Sequence, residues 1–110
     1  MKLKIFTLIF ALLLGSVAIA DALPKGAIKD GSLSNEKLIG DAKVGVAAQV
    51  GLLGCDKPEK VKIFITQMPE GKTGSRIWKE LWVVEGCKKK YPVKVRFQES
   101  ATGAVWTIEK

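Results

Sequence analysis

The segment that decides the fold is residues 76–85, RIWKELWVVE. Its alternate positions form two faces that are both apolar, Ile77, Leu81 and Val83 on one and Trp78, Trp82 and Val84 on the other. A strand with two apolar faces is typical of the centre of a sheet that is covered on both sides. The segment therefore predicts a central strand.

Further strands are predicted on both sides of this segment. The segment after Pro58 alternates between two faces, one with Val61, Ile63 and Ile65 and the other with Lys60, Lys62, Phe64 and Thr66. The segment after Tyr91 does the same, with Val93, Val95 and Phe97 on one face and Lys94, Arg96 and Gln98 on the other. In residues 104–109, one face carries Trp106 and Ile108. Such alternation indicates half-buried strands. Residues 67–75 contain Pro69, Gly71 and Gly74, which favour a long turn.

The part of the chain before the strands predicts a helix preceded by an arm. Residues 21–35 show little apolar periodicity and predict a flexible arm. Ser34 or Asn35 is suited to cap a helix that has Glu36 in its first turn, but several glycines leave residues 43–53 ambiguous. The fold class expected is α+β: an antiparallel meander of about four strands with one N-terminal helix. A small all-β barrel is the alternative.

The first twenty residues have the features of a secretory signal peptide. Two lysines come first, residues 5–14 are apolar, and the segment ends on Ala18-Ile19-Ala20. We expect cleavage after Ala20, with Ala22 as second choice, then an arm over residues 21–35 and a single disulfide-closed domain over residues 36–110. The apolar stretch is shorter than the roughly 20 residues of a membrane span, so an integral membrane protein is not expected. A periplasmic or secreted protein is.

Cys55 and Cys87 are the two cysteines of the chain. In an exported protein they predict a structural disulfide, worth roughly 3.5 to 4 kcal/mol for a loop of about 33 residues. A redox or metal pair is the competing interpretation, but the spacing is not C-x-x-C and the chain has no histidine. Residues 52–55, LLGC, also look like a lipoprotein signal, although they come late in the chain.

The composition weighs against catalysis. The chain has 18 basic and 11 acidic side chains and no histidine, which removes His-dependent nucleophilic systems and the commonest metal ligand. We therefore expect no enzyme, no cofactor and no metal. A glycan hydrolase that uses Glu80 with a second carboxylate, such as Glu85 or Glu70, is the catalytic alternative.

The candidate binding residues lie in three groups: Trp78, Glu80 and Trp82 on the central strand; Met68 and Arg76 at the two ends of the long turn; and Lys88, Lys89 and Lys90 after the second cysteine. Glu80 shares a face with the two tryptophans, so we expect it to be partly buried and paired with Arg76 or Arg96. Packing is the simplest role for the tryptophans, although an exposed tryptophan is a natural binding anchor.

The lysine run at residues 88–90 predicts a basic edge that Lys57, Lys60, Lys62 and Lys94 would extend if the strands pair as proposed. Edge lysines that block aggregation of sheets are the structural interpretation. Attraction to an anionic envelope component or an acidic protein is the functional one. Nucleic acid is not expected, because aromatic residues are not interleaved with the basic ones.

One pattern resembles a group of proteins. It consists of Gly54-Cys55, then Gln67-Met68-Pro69, Gly71, Gly74, Arg76, the alternating Trp78-x-Glu80-x-Trp82-x-Val84, Gly86-Cys87, Tyr91-Pro92-Val93 and Phe97. Over residues 54–109 this resembles small exported bacterial proteins of unknown function, in which a Trp-x-Glu-x-Trp strand leads into Gly-Cys. Those proteins typically have glycine after the second cysteine, where this chain has Lys88. The resemblance implies export and a disulfide, and no chemistry.

The function expected is that of an exported, non-catalytic binding domain of the bacterial cell envelope, either an inhibitor or an accessory protein. The long loop of residues 68–75 is its candidate binding element. A secreted effector of a host-associated bacterium is an alternative. The expected partner is a protein or an anionic envelope component, and the sequence leaves the oligomeric state open.

Overall fold

The computed structural model describes residues 23–110. The predicted signal peptide, with its cleavage after Ala20 or Ala22, lies outside the described residues.

An open antiparallel sheet of five strands forms most of the described chain, and its strands lie side by side in the order of the sequence. The strands are Lys29–Asp30 (β1), Pro58–Glu70 (β2), Ile77–Gly86 (β3), Lys89–Ser100 (β4) and Gly103–Glu109 (β5). The predicted meander is confirmed, with one strand more than expected. Because the sheet is open, the alternative of a closed barrel is wrong.

The single helix of the described residues, Glu36–Leu52 (α1), packs on one face of this sheet. Asn35 is its N-cap, and the Asn35 side chain accepts a hydrogen bond of 2.8 Å from the amide of Leu38. This bond satisfies one of the amides that a helix start leaves unpaired. The segment 43–53, ambiguous in the sequence, is helical as far as Leu52.

The hydrophobic core lies between α1 and the covered face of the sheet. Its central residues are Ala42, Val46 and Val50 from the helix, Trp78, Trp82 and Val84 from β3, and Tyr91, Val93, Val95 and Phe97 from β4. The rings of Trp78 and Phe97 stack with centroids 5.1 Å apart. Gly45 lets the helix approach β5, because a Cβ atom there would overlap the ring of Trp106.

The arm is more structured than its sequence predicts. The amide of Ile28 donates to the Ile65 carbonyl at 2.7 Å, and the amide of Gly31 donates to the Ile63 carbonyl at 2.9 Å. These bonds hold β1 against the edge of β2. Backbone pairing to an existing edge requires no apolar periodicity, which is why the arm gave no strand signal.

The predicted turn over residues 67–75 is also shorter than expected. β2 continues to Glu70, with irregular register after Ile65 and again after Gln67. Pro69 lies in this part of β2, beyond the two residues of β2 that pair with β1. Its missing amide is tolerated there because an edge position needs no ladder partner on that side.

The disulfide is confirmed between Cys55 and Cys87, whose Cα atoms are 5.8 Å apart. It joins the segment after α1 to the turn after β3. Gly86 is required beside it, because a Cβ atom would lie 2.8 Å from the Lys57 carbonyl oxygen and 2.9 Å from the Cα of Pro58. With its sulfur in this bridge, Cys55 is not the lipid-attachment residue that the LLGC pattern suggested.

Candidate binding surface

The helix covers only one face of the sheet. The opposite face, here called the open face, carries side chains of four neighbouring strands at alternate positions: Lys60, Lys62 and Phe64 of β2, Lys79, Leu81, Val83 and Glu85 of β3, Lys90, Pro92, Lys94 and Arg96 of β4, and Glu109 of β5. This face exists because the alternation that buries Trp78 and Trp82 directs their neighbours to the other side.

Register brings the cations of the open face together. Lys60 and Lys90 flank Glu85, Lys79 pairs with Arg96, and Lys94 pairs with Leu81. The face has six basic side chains, Lys60, Lys62, Lys79, Lys90, Lys94 and Arg96. It has three acidic side chains, Glu85, Glu109 and, on β1, Asp30. One cation is neutralised within the face, because the Lys79 Nζ lies 3.4 Å from a carboxylate oxygen of Glu109. The surface is therefore basic.

The middle of the open face is apolar. Phe64 and Val83 are half-buried, and Leu81 is 9% exposed. A cleft of about 820 Å³ is lined by Phe64 and Val83, by Lys62 and Lys90, and by arm residues that include Leu23. Asp30 and Glu85 also line this cleft, so it combines an apolar floor with walls that carry charges of both signs.

The arm lies against this face. Leu23 and Pro24 line the large cleft, and Lys25 and Gly26 line a smaller one of about 290 Å³ together with Leu81 and other residues. A turn closed by a 3.0 Å hydrogen bond from the Ala27 amide to the Pro24 carbonyl shapes this segment. The arm thus contributes to the open face as well as to the edge of the sheet.

Glu80 anchors the arm from the covered side of the sheet. It is 1% exposed, and its Oε2 accepts hydrogen bonds from the Ser32 hydroxyl at 2.8 Å, the Leu33 amide at 2.9 Å and the Trp78 indole at 3.1 Å. Its Oε1 accepts from the Trp82 indole at 3.0 Å. Four neutral donors therefore solvate a buried carboxylate, as a buried charge requires.

The predicted pairing of Glu80 with Arg76 or Arg96 is wrong. Arg96 pairs in register with Lys79, so it projects from the open face, whereas Glu80 points to the core. Arg76 instead donates to Glu99 from its Nη2 at 2.7 Å and from its Nε at 3.0 Å.

The Arg76–Glu99 pair closes the end of the sheet beside the loop of residues 71–76. Hydrogen bonds from Arg76 lower the pKa of Glu99 to about 2, and the amide of Gly74 also donates to this carboxylate at 2.9 Å. In turn, the Glu99 carboxylate raises the pKa of Arg76. Glu99 thus holds the loop by a charged side chain and by backbone amides.

The structure separates the predicted binding residues. Trp78 and Trp82 are 7% and 0% exposed, so both tryptophans belong to the core. Met68 is 41% exposed on β2, and Lys88 lies in the hairpin turn far from Met68 in the register.

Lys90 alone among the predicted residues lies on the open face, together with Lys60, Lys62 and Lys94. The predicted basic edge is divided, because Lys57, Lys88 and Lys89 are not on this face. The sequence missed the contribution of Phe64 and Leu81. Their alternation was visible, but the absence of a second covering layer was not.

Within residues 23–110, no helix is long and apolar enough to cross a membrane, and no group of three or more His, Cys, Asp or Glu side chains is placed to hold a metal ion. Comparisons with protein-family models, with curated proteins and with solved structures found no match to this chain.

Proposed function

We propose that this chain is an exported, non-catalytic binding domain of the bacterial cell envelope, which docks an acidic protein partner on its open face as an accessory protein or an inhibitor. The observation that carries the proposal is the composition of that face. Phe64, Leu81 and Val83 form an apolar centre, and exposed or half-buried cations surround it.

This arrangement favours a protein partner over a simple polyanion. Protein interfaces combine an apolar, desolvated centre with a polar rim, and complementary charge speeds encounter and excludes wrong partners. A polyanion would need the lysines alone and would leave Phe64 and Val83 without a contact. The cleft of about 820 Å³ offers a recess for a side chain or a loop of the partner.

The surroundings of Glu80 support a non-catalytic role. A glycoside hydrolase needs two carboxyl groups that reach the substrate. Glu80 is 1% exposed and both of its oxygens already accept hydrogen bonds from the protein. Its role in this proposal is to hold the arm and the start of α1 against the sheet.

The disulfide supports the export part of the proposal. Structural disulfides are typical of oxidising compartments outside the cytoplasm. The Cys55–Cys87 bridge fixes the helix relative to β3, so the open face is held rigid before a partner arrives. A rigid surface lowers the ordering cost of binding.

The test uses the processed protein recovered from the expressing bacterium and immobilised for capture from envelope extract. Lys62 and Lys94 are exposed on the open face, so the variant K62E/K94E reverses two charges of its rim. The control K43E/K72E reverses two exposed lysines away from that face. We expect one stoichiometric, acidic protein that binds at least about tenfold more weakly to K62E/K94E and normally to the control.

Equal retention of the partner by both variants, with unchanged thermal midpoints, would contradict docking on the open face. Retention of nothing by the wild-type domain would contradict the binding function itself. The compartment from which the protein and its partner are recovered distinguishes the envelope role from that of a secreted effector.

A further inference from the structure

The end of the molecule that carries the disulfide has a second surface, separate from the centre of the open face. The Cys55–Cys87 bridge brings the end of α1 next to the hairpin turn between β3 and β4. Leu53 precedes Cys55 by two residues, and Lys88 follows Cys87 directly. We call this surface the disulfide tip and define it by Leu52, Leu53, Lys57, Lys88 and Lys89.

The apolar part of the disulfide tip is not used by the fold. Leu52 is 80% exposed and Leu53 is 54% exposed, whereas the core-facing side of the same helix is formed by Ala42, Val46 and Val50. Two adjacent exposed leucines at the end of an element are therefore free to contact an apolar medium.

The charged part of the disulfide tip lies on the segment after α1 and on the hairpin turn that the bridge joins to it. Lys57, Lys88 and Lys89 are all exposed, and the exposed acids beside Lys57 in the sequence are Asp56 and Glu59. Lys88 has a φ of +62°, in the left-handed region that favours glycine. A lysine thus occupies a turn position whose backbone favours a residue without a side chain, and this lysine is exposed.

We propose that the disulfide tip docks on the surface of an anionic phospholipid bilayer. Leu52 and Leu53 enter the boundary between the headgroups and the acyl chains, and Lys57, Lys88 and Lys89 lie among the anionic headgroups. Apolar side chains beside basic ones are the combination that holds peripheral proteins at such interfaces. Long lysine stems also allow the ammonium groups to stay at headgroup level while the leucines go deeper.

The charge pattern favours an anionic leaflet over a neutral apolar partner. A neutral apolar groove would match the leucines and leave the exposed lysines unpaired, whereas an anionic leaflet satisfies both sets at once. The disulfide contributes to this surface, because it joins the end of α1, which carries the leucines, to the turn between β3 and β4, which carries Lys88.

The experiment measures co-sedimentation of the processed protein with vesicles at low salt. One set of vesicles is pure phosphatidylcholine, and the other contains phosphatidylglycerol as well. We expect binding to the anionic vesicles only, weakened by added salt. K88Q/K89Q should bind about 25-fold more weakly, at about fivefold per lysine, and L52Q/L53Q at least about tenfold more weakly.

Matched controls keep the result specific. V105T changes an exposed apolar residue of β5, and K72Q/K110Q removes two exposed lysines outside the disulfide tip. Both should bind the anionic vesicles within about twofold of the wild type, since neither change touches the tip.

Three results would overturn the proposal: no sedimentation of the wild-type protein with anionic vesicles, equal sedimentation with both kinds of vesicle, or unchanged binding of L52Q/L53Q. The last result would mean adsorption of a basic protein by charge alone. Far-ultraviolet circular dichroism of each variant confirms that the fold is kept. Because the open face is not involved, these results are independent of the capture experiment above.

Discussion

Replacing Glu80 by glutamine removes one acceptor from a buried cluster while it keeps the size of the side chain. The carboxylate accepts four hydrogen bonds, three at Oε2 and one at Oε1. The amide nitrogen of glutamine is a donor, so it cannot replace either oxygen without facing another donor. Its least costly position is that of Oε1, where it opposes the Trp82 indole alone.

The magnitude follows from this geometry. A buried donor that loses its partner costs about 1–3 kcal/mol, and the three remaining bonds change from charge-assisted to neutral, at about 1 kcal/mol each. The neutral amide is less costly to bury than a carboxylate, which offsets part of the loss. We therefore expect E80Q to lower the free energy of unfolding by about 2–3 kcal/mol.

Urea unfolding followed by tryptophan fluorescence measures this change, because Trp78 and Trp82 both contact the substituted group. The control is E85Q on the open face of the same strand, which should stay within about 0.5 kcal/mol of the wild type. Amide exchange should also speed up at Ile28 and Gly31, as the arm loses its anchor. A loss below about 0.5 kcal/mol for E80Q would refute this account of the cluster.

Three further predictions concern packing, backbone and charge. G45A should lower the free energy of unfolding by about 1–3 kcal/mol, because the new Cβ atom overlaps the indole ring of Trp106 on β5. G40A has open space around its Cβ atom and should raise the free energy of unfolding by about 1 kcal/mol, because alanine favours a helix more than glycine does. Urea unfolding measures both changes. K88G should stabilise the protein by about 1 kcal/mol in the same assay, because the φ of +62° suits glycine, and a loss of stability would contradict the turn geometry. The pKa of Glu99 is lowered from the usual 4.5 to about 2. The stabilisation from its pair with Arg76 is therefore complete above pH 4.5 and is lost as the pH falls towards about 2. The stability difference between the wild type and E99Q should therefore be constant near neutral pH and shrink over that acid range; a difference that grows there would contradict the ion pair.

The sequence predicted correctly the features that depend on residues close together in the chain, such as side-chain alternation and a helix cap. Alternation located β2 and β4, because burial of one sheet face imposes a period of two on the side chains. Asn35 followed by Glu36 marked the start of α1, because a cap is a local interaction between neighbouring residues. The two cysteines allowed one pairing within the chain.

The features that it predicted wrongly depend on contacts between distant segments. The partner of Glu80 was sought among arginines, but the donors come from Ser32 and Leu33, which are 48 and 47 residues away in the sequence, and from neutral indoles. β1 owes its existence to the edge of β2 and has no periodicity of its own. The two apolar faces of β3 suggested cover on both sides, yet the second face meets only the arm and solvent.

The two proposed surfaces have a fixed relation that follows from the meander. β4 begins with Lys89 at the disulfide tip and carries Lys94 and Arg96 of the open face further along. At about 3.4 Å per residue, Arg96 lies about 24 Å along the strand from Lys89. A bilayer at the tip would therefore leave most of the open face clear of the headgroups and available to a protein that is itself held at the membrane. Since the disulfide and the core make one rigid unit of both surfaces, changes at one should leave the contacts of the other unaltered. K62E/K94E lowers the net charge by four, so it should weaken sedimentation with anionic vesicles at low salt, but by less than L52Q/L53Q does. Loss of vesicle binding in K62E/K94E as large as that in L52Q/L53Q would instead mean that the open face itself lies on the membrane.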